Sequence, residues 1–125
     1  MNIMDNCLFC KIIKKEIKSN IVYEDSDFCI FMDKFPSSPG HLLIVPKKHI
    51  LDALEIEDEI FLKLNSMIKK MMALVMEKLG AEGVRVGQNN GICQEIKHYH
   101  IHIVPAYSKK ILLSDEEIYQ KLIEK

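Results

Sequence analysis

Apolar and polar residues recur along this chain with two different periods, and the changes of period mark out its elements. Phe9, Ile12, Ile13 and Ile17 are spaced as one face of a short amphipathic helix near the N-terminus. Ile21-Val22-Tyr23-Glu24 and Phe28-Cys29-Ile30-Phe31-Met32 are strand-like runs. Asp25-Ser26-Asp27 between them supplies turn-forming side chains, so a hairpin is expected. After the loop Pro36-Ser37-Ser38-Pro39-Gly40, the run His41-Leu42-Leu43-Ile44-Val45 is almost wholly apolar and reads as a central strand stopped by Pro46. From Glu57 to Leu79, the residues Ile60, Leu64, Met67, Met71, Leu74 and Val75 recur at steps of three and four, uninterrupted by Pro or Gly. That spacing predicts one long helix, with Glu57, Asp58 and Glu59 at its positive end and Gly80 as its stop. Val84-Arg85-Val86-Gly87 is a short strand, and Asn90-Gly91 signals a tight hairpin turn after it. Ser114 and Glu117 fit a capping box that opens a terminal helix over about residues 114–124, through Ile118, Leu122 and Ile123.

The most informative stretch is His98-Tyr99-His100-Ile101-His102-Ile103-Val104-Pro105-Ala106-Tyr107. Its period of two in β-branched and aromatic surroundings predicts a strand whose one face presents three imidazoles and whose other face presents Tyr99, Ile101 and Ile103 to a core. Imidazole is neither a strong β-former nor comfortable unpaired in a core, so three in register imply chemistry or metal binding. The elements together predict a single α+β domain over residues 1–125. It is built on a five-stranded antiparallel sheet with one long helix, a short N-terminal helix and a C-terminal helix.

Composition narrows the functions available. A chain of 125 residues with 48% hydrophobic and 28% charged residues fits one globular domain. A formal net charge of −1 removes the general attraction that a nucleic-acid polymer requires, while leaving room for a small anionic ligand at a local site. No apolar run is long enough to span a bilayer. Met1-Asn2-Ile3-Met4-Asp5-Asn6 has no basic segment leading into an apolar one, so no signal peptide is expected. The four cysteines are then expected in a reducing compartment, with the cytoplasm as the default location. Met67, Met71, Met72 and Met76 on the long helix are expected in the core or a subunit interface rather than a peptide groove.

Two chemistries suit the three histidines. A neutral imidazole is a nucleophile toward phosphorus, with its neighbours orienting it, binding phosphoryl oxygens or protonating a leaving group. Alternatively, three imidazoles hold a zinc ion with an open position for water. Their spacing alone does not separate the two. Cys7-Leu8-Phe9-Cys10 carries the C-x-x-C spacing that places two thiolates on one metal, which still requires two further ligands.

The residues around these motifs decide more. HYHIHIV at 98–104 resembles the His-φ-His-φ-His-φ-φ motif, with φ apolar, of the histidine-triad family of nucleotide hydrolases and transferases. CLFCKIIKKEI, IVYEDSDFCIFMD, SPGHLLIVPKKH and QNNG stand in that family's order, so the resemblance runs over about residues 7–107 and leaves out only the last helix. It implies that His100 is the nucleophile at an α-phosphorus, that His102 hydrogen-bonds a phosphoryl oxygen, and that His41 supports the triad. Asp33 then matches the acidic residue for the ribose hydroxyls, and Leu8, Phe9, Ile12, Phe31 and Leu43 match apolar positions around the base. Asn89 and Gln94 match polar positions near the phosphate and leaving group. In one branch of the family, residues matching Cys7, Cys10, His49 and His98 bind a structural Zn²⁺.

The resemblance also implies a homodimer and a small nucleotide substrate. Expected is hydrolysis or transfer on a nucleoside phosphoramidate or dinucleoside polyphosphate through a nucleotidyl-histidine, releasing a nucleoside monophosphate. The alternative is a purine-nucleotide-binding or zinc-dependent interaction module without turnover. The chain departs from the family at Cys93, where many members have Gly, at a loop two residues shorter between Gly91 and Gln94, and at Ala106, where an arginine is common.

Overall fold

A computed structural model describes residues 6–124. Met1–Asp5, part of the segment that bears on secretion, lie outside the described residues. In chain order the elements are α1 (Leu8–Ile13), β1 (Ile21–Glu24), β2 (Phe28–Met32), β3 (Leu42–Pro46), α2 (Asp58–Leu79), β4 (Gly83–Gln88), β5 (Ile101–Ala106) and α3 (Asp115–Ile123). The strands form one antiparallel sheet in the order β1-β2-β3-β5-β4, so β3 is central as its apolar run predicts.

Both faces of β2 and β3 are buried, which is why neither strand shows polar alternation. Phe28, Ile30, Leu42, Ile44, Ile101 and Ile103 face the main core beneath α2 and α3. The intervening Cys29, Phe31, Leu43 and Val45 form a second cluster with α1 on the opposite face. The five buried side chains of α2, Leu64, Met67, Met71, Val75 and Leu79, each contribute about 1.5–3 kcal/mol by leaving water. Met67 and Met71 are thus core residues, whereas Met76 is 46% exposed. The capping box of α3 forms in full, Ser114 Oγ accepting from Glu117 N and Glu117 Oε1 accepting from Ser114 N.

Three local expectations change. The first helix ends at Ile13, because Lys14 caps it and Lys15 takes a left-handed φ of 67°, so Ile17 is left outside the helix. Asn90-Gly91 makes no tight hairpin: Gln88 pairs with Ile101, and residues 89–100 form a longer connection that includes the 3₁₀ turn Gly91–Cys93. Tertiary contacts override the turn signal there, since Tyr99 N donates to Ile50 O and Gln94 Nε2 donates to Leu51 O. For the same reason the regular strand starts at Ile101, and His98 and His100 precede it. The alternation nevertheless persists through the irregular part. Tyr99 is fully buried in the main core while His98 and His100 turn to the α1 face.

Gly40 sets the entry to β3. Its φ of 84° is left-handed, and a Cβ there would run into Leu79 Cδ1 at the end of α2. Gly40→Ala is expected to destabilise the protein by about 1–3 kcal/mol through strain and this overlap. Equilibrium urea unfolding measures the change, and an unaltered midpoint would remove Gly40 from the constraints on the fold.

Candidate active site and metal centre

A cavity of about 730 Å³ opens on the α1 face of the sheet. Phe31, Leu43 and His102 stand in register across β2, β3 and β5 and form its floor. Leu8, Phe9 and Ile12 of α1 form an apolar wall, and Phe9 lies edge-on to both Phe31 (centroids 5.4 Å apart) and His100 (4.9 Å). Asp33, at the end of β2, and Asn89, just after β4, also line it, with His100. These are the positions that the sequence reading associates with a nucleotide.

Hydrogen bonds fix the proton positions on the imidazoles. His100 Nδ1 lies 2.8 Å from His98 O. A carbonyl only accepts, so Nδ1 carries the proton and the neutral ring keeps its lone pair on Nε2. His41 Nδ1 accepts from Ser37 N at 3.0 Å, so the His41 proton sits on Nε2 and is donated to His102 Nδ1 at 2.9 Å. His102 therefore presents Nε2–H as a donor. Asp33 Oδ2, at 3.5 Å from His41 Nε2, adds a negative charge behind the pair, while Asp33 Oδ1 accepts from Phe35 N. The rings of His100 and His102 are 4.9 Å apart. Burial lowers the pKa of His41, His100 and His102 below the ordinary imidazole value, and Asp33 only partly opposes it. A site of neutral imidazoles results, with one free lone pair and one free N–H.

His98 belongs to a different cluster. Its Nε2 donates to Pro46 O at 2.8 Å, which leaves the Nδ1 lone pair facing Cys7 Sγ at 3.4 Å and Cys10 Sγ at 3.6 Å. His49 Nδ1 is 3.2 Å from Cys10 Sγ. Ligand atoms around a tetrahedral zinc ion are about 3.3–3.8 Å apart, given the usual bond lengths. The four donor atoms, all within 4.8 Å of one another, fit that ion in spacing and in donor chemistry. Burial and the adjacent Cys7 push the Cys10 thiol up to about 11, a cost that a divalent ion would reverse by stabilising thiolates.

No converging ligand set among the described residues contains His98, His100 and His102 together, so the triad is not a three-histidine metal site. Asp33, His41 and His102 do converge. There the atom that would bind a metal is His41 Nε2, which must carry the proton because Nδ1 already accepts Ser37 N–H. That set does not fit a cation.

Gln94 is not in the cavity lining. It is buried, with Nε2 donating to Leu51 O and Ile96 O and Oε1 accepting from Gly91 N, so its amide is spent on shaping the connection. Conversely, Lys18, Lys34, Cys93 and Glu95 line the cavity although no motif singles them out as ligand contacts. They lie in connecting segments, where periodicity carries no signal; the shortened connection before Gln94 draws attention to Cys93 alone.

The buried neutral imidazoles give a pH dependence of defined sign. Because the folded pKa values of His41 and His102 are lowered, their contribution to stability is complete above the ordinary value near 6.5 and is lost as pH falls below it. Tm is expected to drop between about pH 7.5 and about pH 5, and to drop less in His102→Asn, as read by thermal unfolding. A flat Tm over that range would contradict the neutral pair.

The HIT domain family model matches residues 14–109. A Zn-bound histidine triad family protein of Mycobacterium smegmatis superposes with a TM-score of 0.87 at 26% identity, over 96% of this chain and 92% of that one. A hypothetical histidine triad nucleotide-binding protein of Sulfolobus tokodaii gives 0.84 at 32% identity, over 94% and 87%. A HIT family hydrolase of Clostridium thermocellum gives 0.72 at 35% identity, over 87% and 98%. With the triad, the α+β sheet and the family match in agreement, the chain belongs to the histidine triad, or HIT, family.

Proposed function

We propose that this protein hydrolyses or transfers the nucleotidyl group of nucleoside phosphoramidates or dinucleoside polyphosphates. The observation that carries the reading is the pairing of a free Nε2 lone pair on His100 with a free Nε2–H on His102 beside an apolar cavity. The base lies against Leu8, Phe9, Ile12, Phe31 and Leu43, the ribose hydroxyls donate to Asp33, and Asn89 and His102 donate to phosphoryl oxygens. His100 Nε2 attacks the α-phosphorus, and the bond to the leaving group breaks. The departing atom takes a proton from the water filling the open cavity. Water then attacks the phosphorus of the nucleotidyl-histidine and loses a proton, and the P–N bond to His100 breaks to release the monophosphate and restore the neutral imidazole. His41 acts through His102 and is a positioning residue, as is Gln94 through the connection. Similarity to the hydrolase of C. thermocellum and the nucleotide-binding protein of S. tokodaii supports the class of reaction.

Cys7, Cys10, His49 and His98 are the residues that would hold a structural zinc ion, and similarity to the Zn-bound protein of M. smegmatis supports that assignment. Bound there, zinc would supply a cross-link between the N-terminal segment, the end of β3 and the triad, with no part in the chemical step. A homodimer is part of the same reading, supported by the open outer edge of β4 and by the exposed Val86 on that strand. A cytoplasmic location belongs to the same reading, with four free cysteines among the described residues in support.

Brief incubation with α-labelled substrate and acid-free quenching is expected to trap label on His100, and His100→Ala to lose at least about a thousandfold in kcat/KM. Wild-type turnover by that variant would refute the mechanism; tight nucleotide binding without turnover by the native protein would return the binding-module reading. Metal analysis of Cys7→Ser/Cys10→Ser protein is expected to show loss of stoichiometric zinc with a lowered Tm. Full retention would place the metal elsewhere.

A further inference from the structure

The paired part of β4 and β5 ends at Gln88 and Ile101. Carried two residues further, the same register would set Asn89 opposite His100 and Asn90 opposite Tyr99. Asn89 and His100 both line the cavity, so the ladder stops just short of the site. Side chains continue the splice in its place. Tyr99 Oη donates to Gln88 Oε1 at 2.8 Å, and Asn90 Nδ2 donates to the same oxygen at 3.1 Å. Asn90 Oδ1 in turn accepts from Ala53 N at 2.8 Å, and Tyr99 N donates to Ile50 O at 2.9 Å. The two extensions are thus tied to each other and to the segment 50–53, with Asn89 and His100 held between the tied residues.

The hydroxyl of Tyr99 is not needed to fill the core. Its ring is fully buried in the main core, at a place that an apolar residue takes in the His-φ-His-φ-His pattern. A phenyl ring would occupy the same space without a polar group to satisfy. Gln88 is exposed, and its amide would find water if the phenol were absent. What the Tyr99–Gln88 bond adds is a link between the residue before Asn89 and the residue before His100, made where the two backbones no longer pair.

This inference rests on the reading given under Proposed function and deepens it. In that reading His100 Nε2 attacks a phosphorus whose oxygens Asn89 binds, so the placement of these two residues relative to each other sets the line of attack. We infer that Tyr99 is a positioning residue, whose hydroxyl, through Gln88, holds Asn89 opposite His100 in the geometry that the attack requires. Gln88 shares the role, because its Oε1 accepts from both Tyr99 and Asn90. Neither Tyr99 nor Gln88 lines the cavity, so both act at one remove from the substrate.

The test uses the full-length protein with an adenosine phosphoramidate as substrate. Tyr99→Phe should lower kcat/KM by roughly tenfold, mostly in kcat, with a Tm close to that of the wild type. Gln88→Ala should give a similar loss, and the two changes together little more than either alone. Asn89→Ala should lose activity by itself, and adding Tyr99→Phe to it should change kcat/KM by less than about twofold. A role confined to packing would look different: a lowered Tm with kcat unchanged, or the same factor lost with and without Asn89. Either result would overturn the inference, as would wild-type kcat/KM in Tyr99→Phe or in Asn89→Ala. Loss of activity in His100→Ala would in each of those cases leave the hydrolase reading standing. Absence of turnover by the native protein, on phosphoramidates and on diadenosine tetraphosphate alike, would overturn that reading and the inference with it.

Discussion

Everything in the site depends on how His98 uses its polar atoms. Its Nε2–H is given to Pro46 O, its Nδ1 lone pair faces two thiols and its main-chain carbonyl accepts the Nδ1–H of His100. The side chain is thereby locked to the end of β3 and to the N-terminal segment, and the carbonyl is locked with it. A carbonyl fixed in that position leaves His100 one neutral tautomer, the one with its lone pair on Nε2. A buried structural residue thus decides which nitrogen of its neighbour keeps a free lone pair, without lining the cavity itself.

The sheet divides the labour. On one face, Tyr99, Ile101 and Ile103 sink into the core under α2 and α3, and Tyr99 Oη donates to Gln88 Oε1. On the other, the alternate histidines lie under α1, so burial on the first face sets position on the second. The neutral His41–His102 pair then needs no metal to stay ordered, because the Ser37 N–H enters one end of its chain of donors and acceptors and the other end, His102 Nε2–H, opens into the cavity.

Elements made by local chemistry were legible in the sequence. The hairpin strands β1 and β2 have the predicted limits, α2 differs only at its first residue, and the capping box of α3 is complete. The chain was less legible where a backbone conformation cuts across the side-chain pattern or a distant residue decides the outcome. Lys15 ends α1 early, so that Ile17 becomes part of the cavity and leaves the helix face. The Asn90-Gly91 signal yields to anchors at Ile50 and Leu51, which lie far away in the chain and cannot be seen from the turn itself. The histidine alternation was visible, but not that its first half lies outside the regular strand, nor that the Gln94 amide is turned to backbone groups. The converging Cys7, Cys10, His49 and His98 come from three separated segments, and only the resemblance to a family joined them before the fold did.

The shortness of α1 has a consequence of its own. Six residues make too few internal hydrogen bonds to hold a helix in water. What seats it is the packing of Phe9, Cys10 and Ile12 on the sheet together with the thiols at its first turn. The same turn carries Leu8 and Phe9, the apolar wall of the cavity. The wall is therefore a clip fastened at one end, and its position over the cavity is only as firm as that fastening.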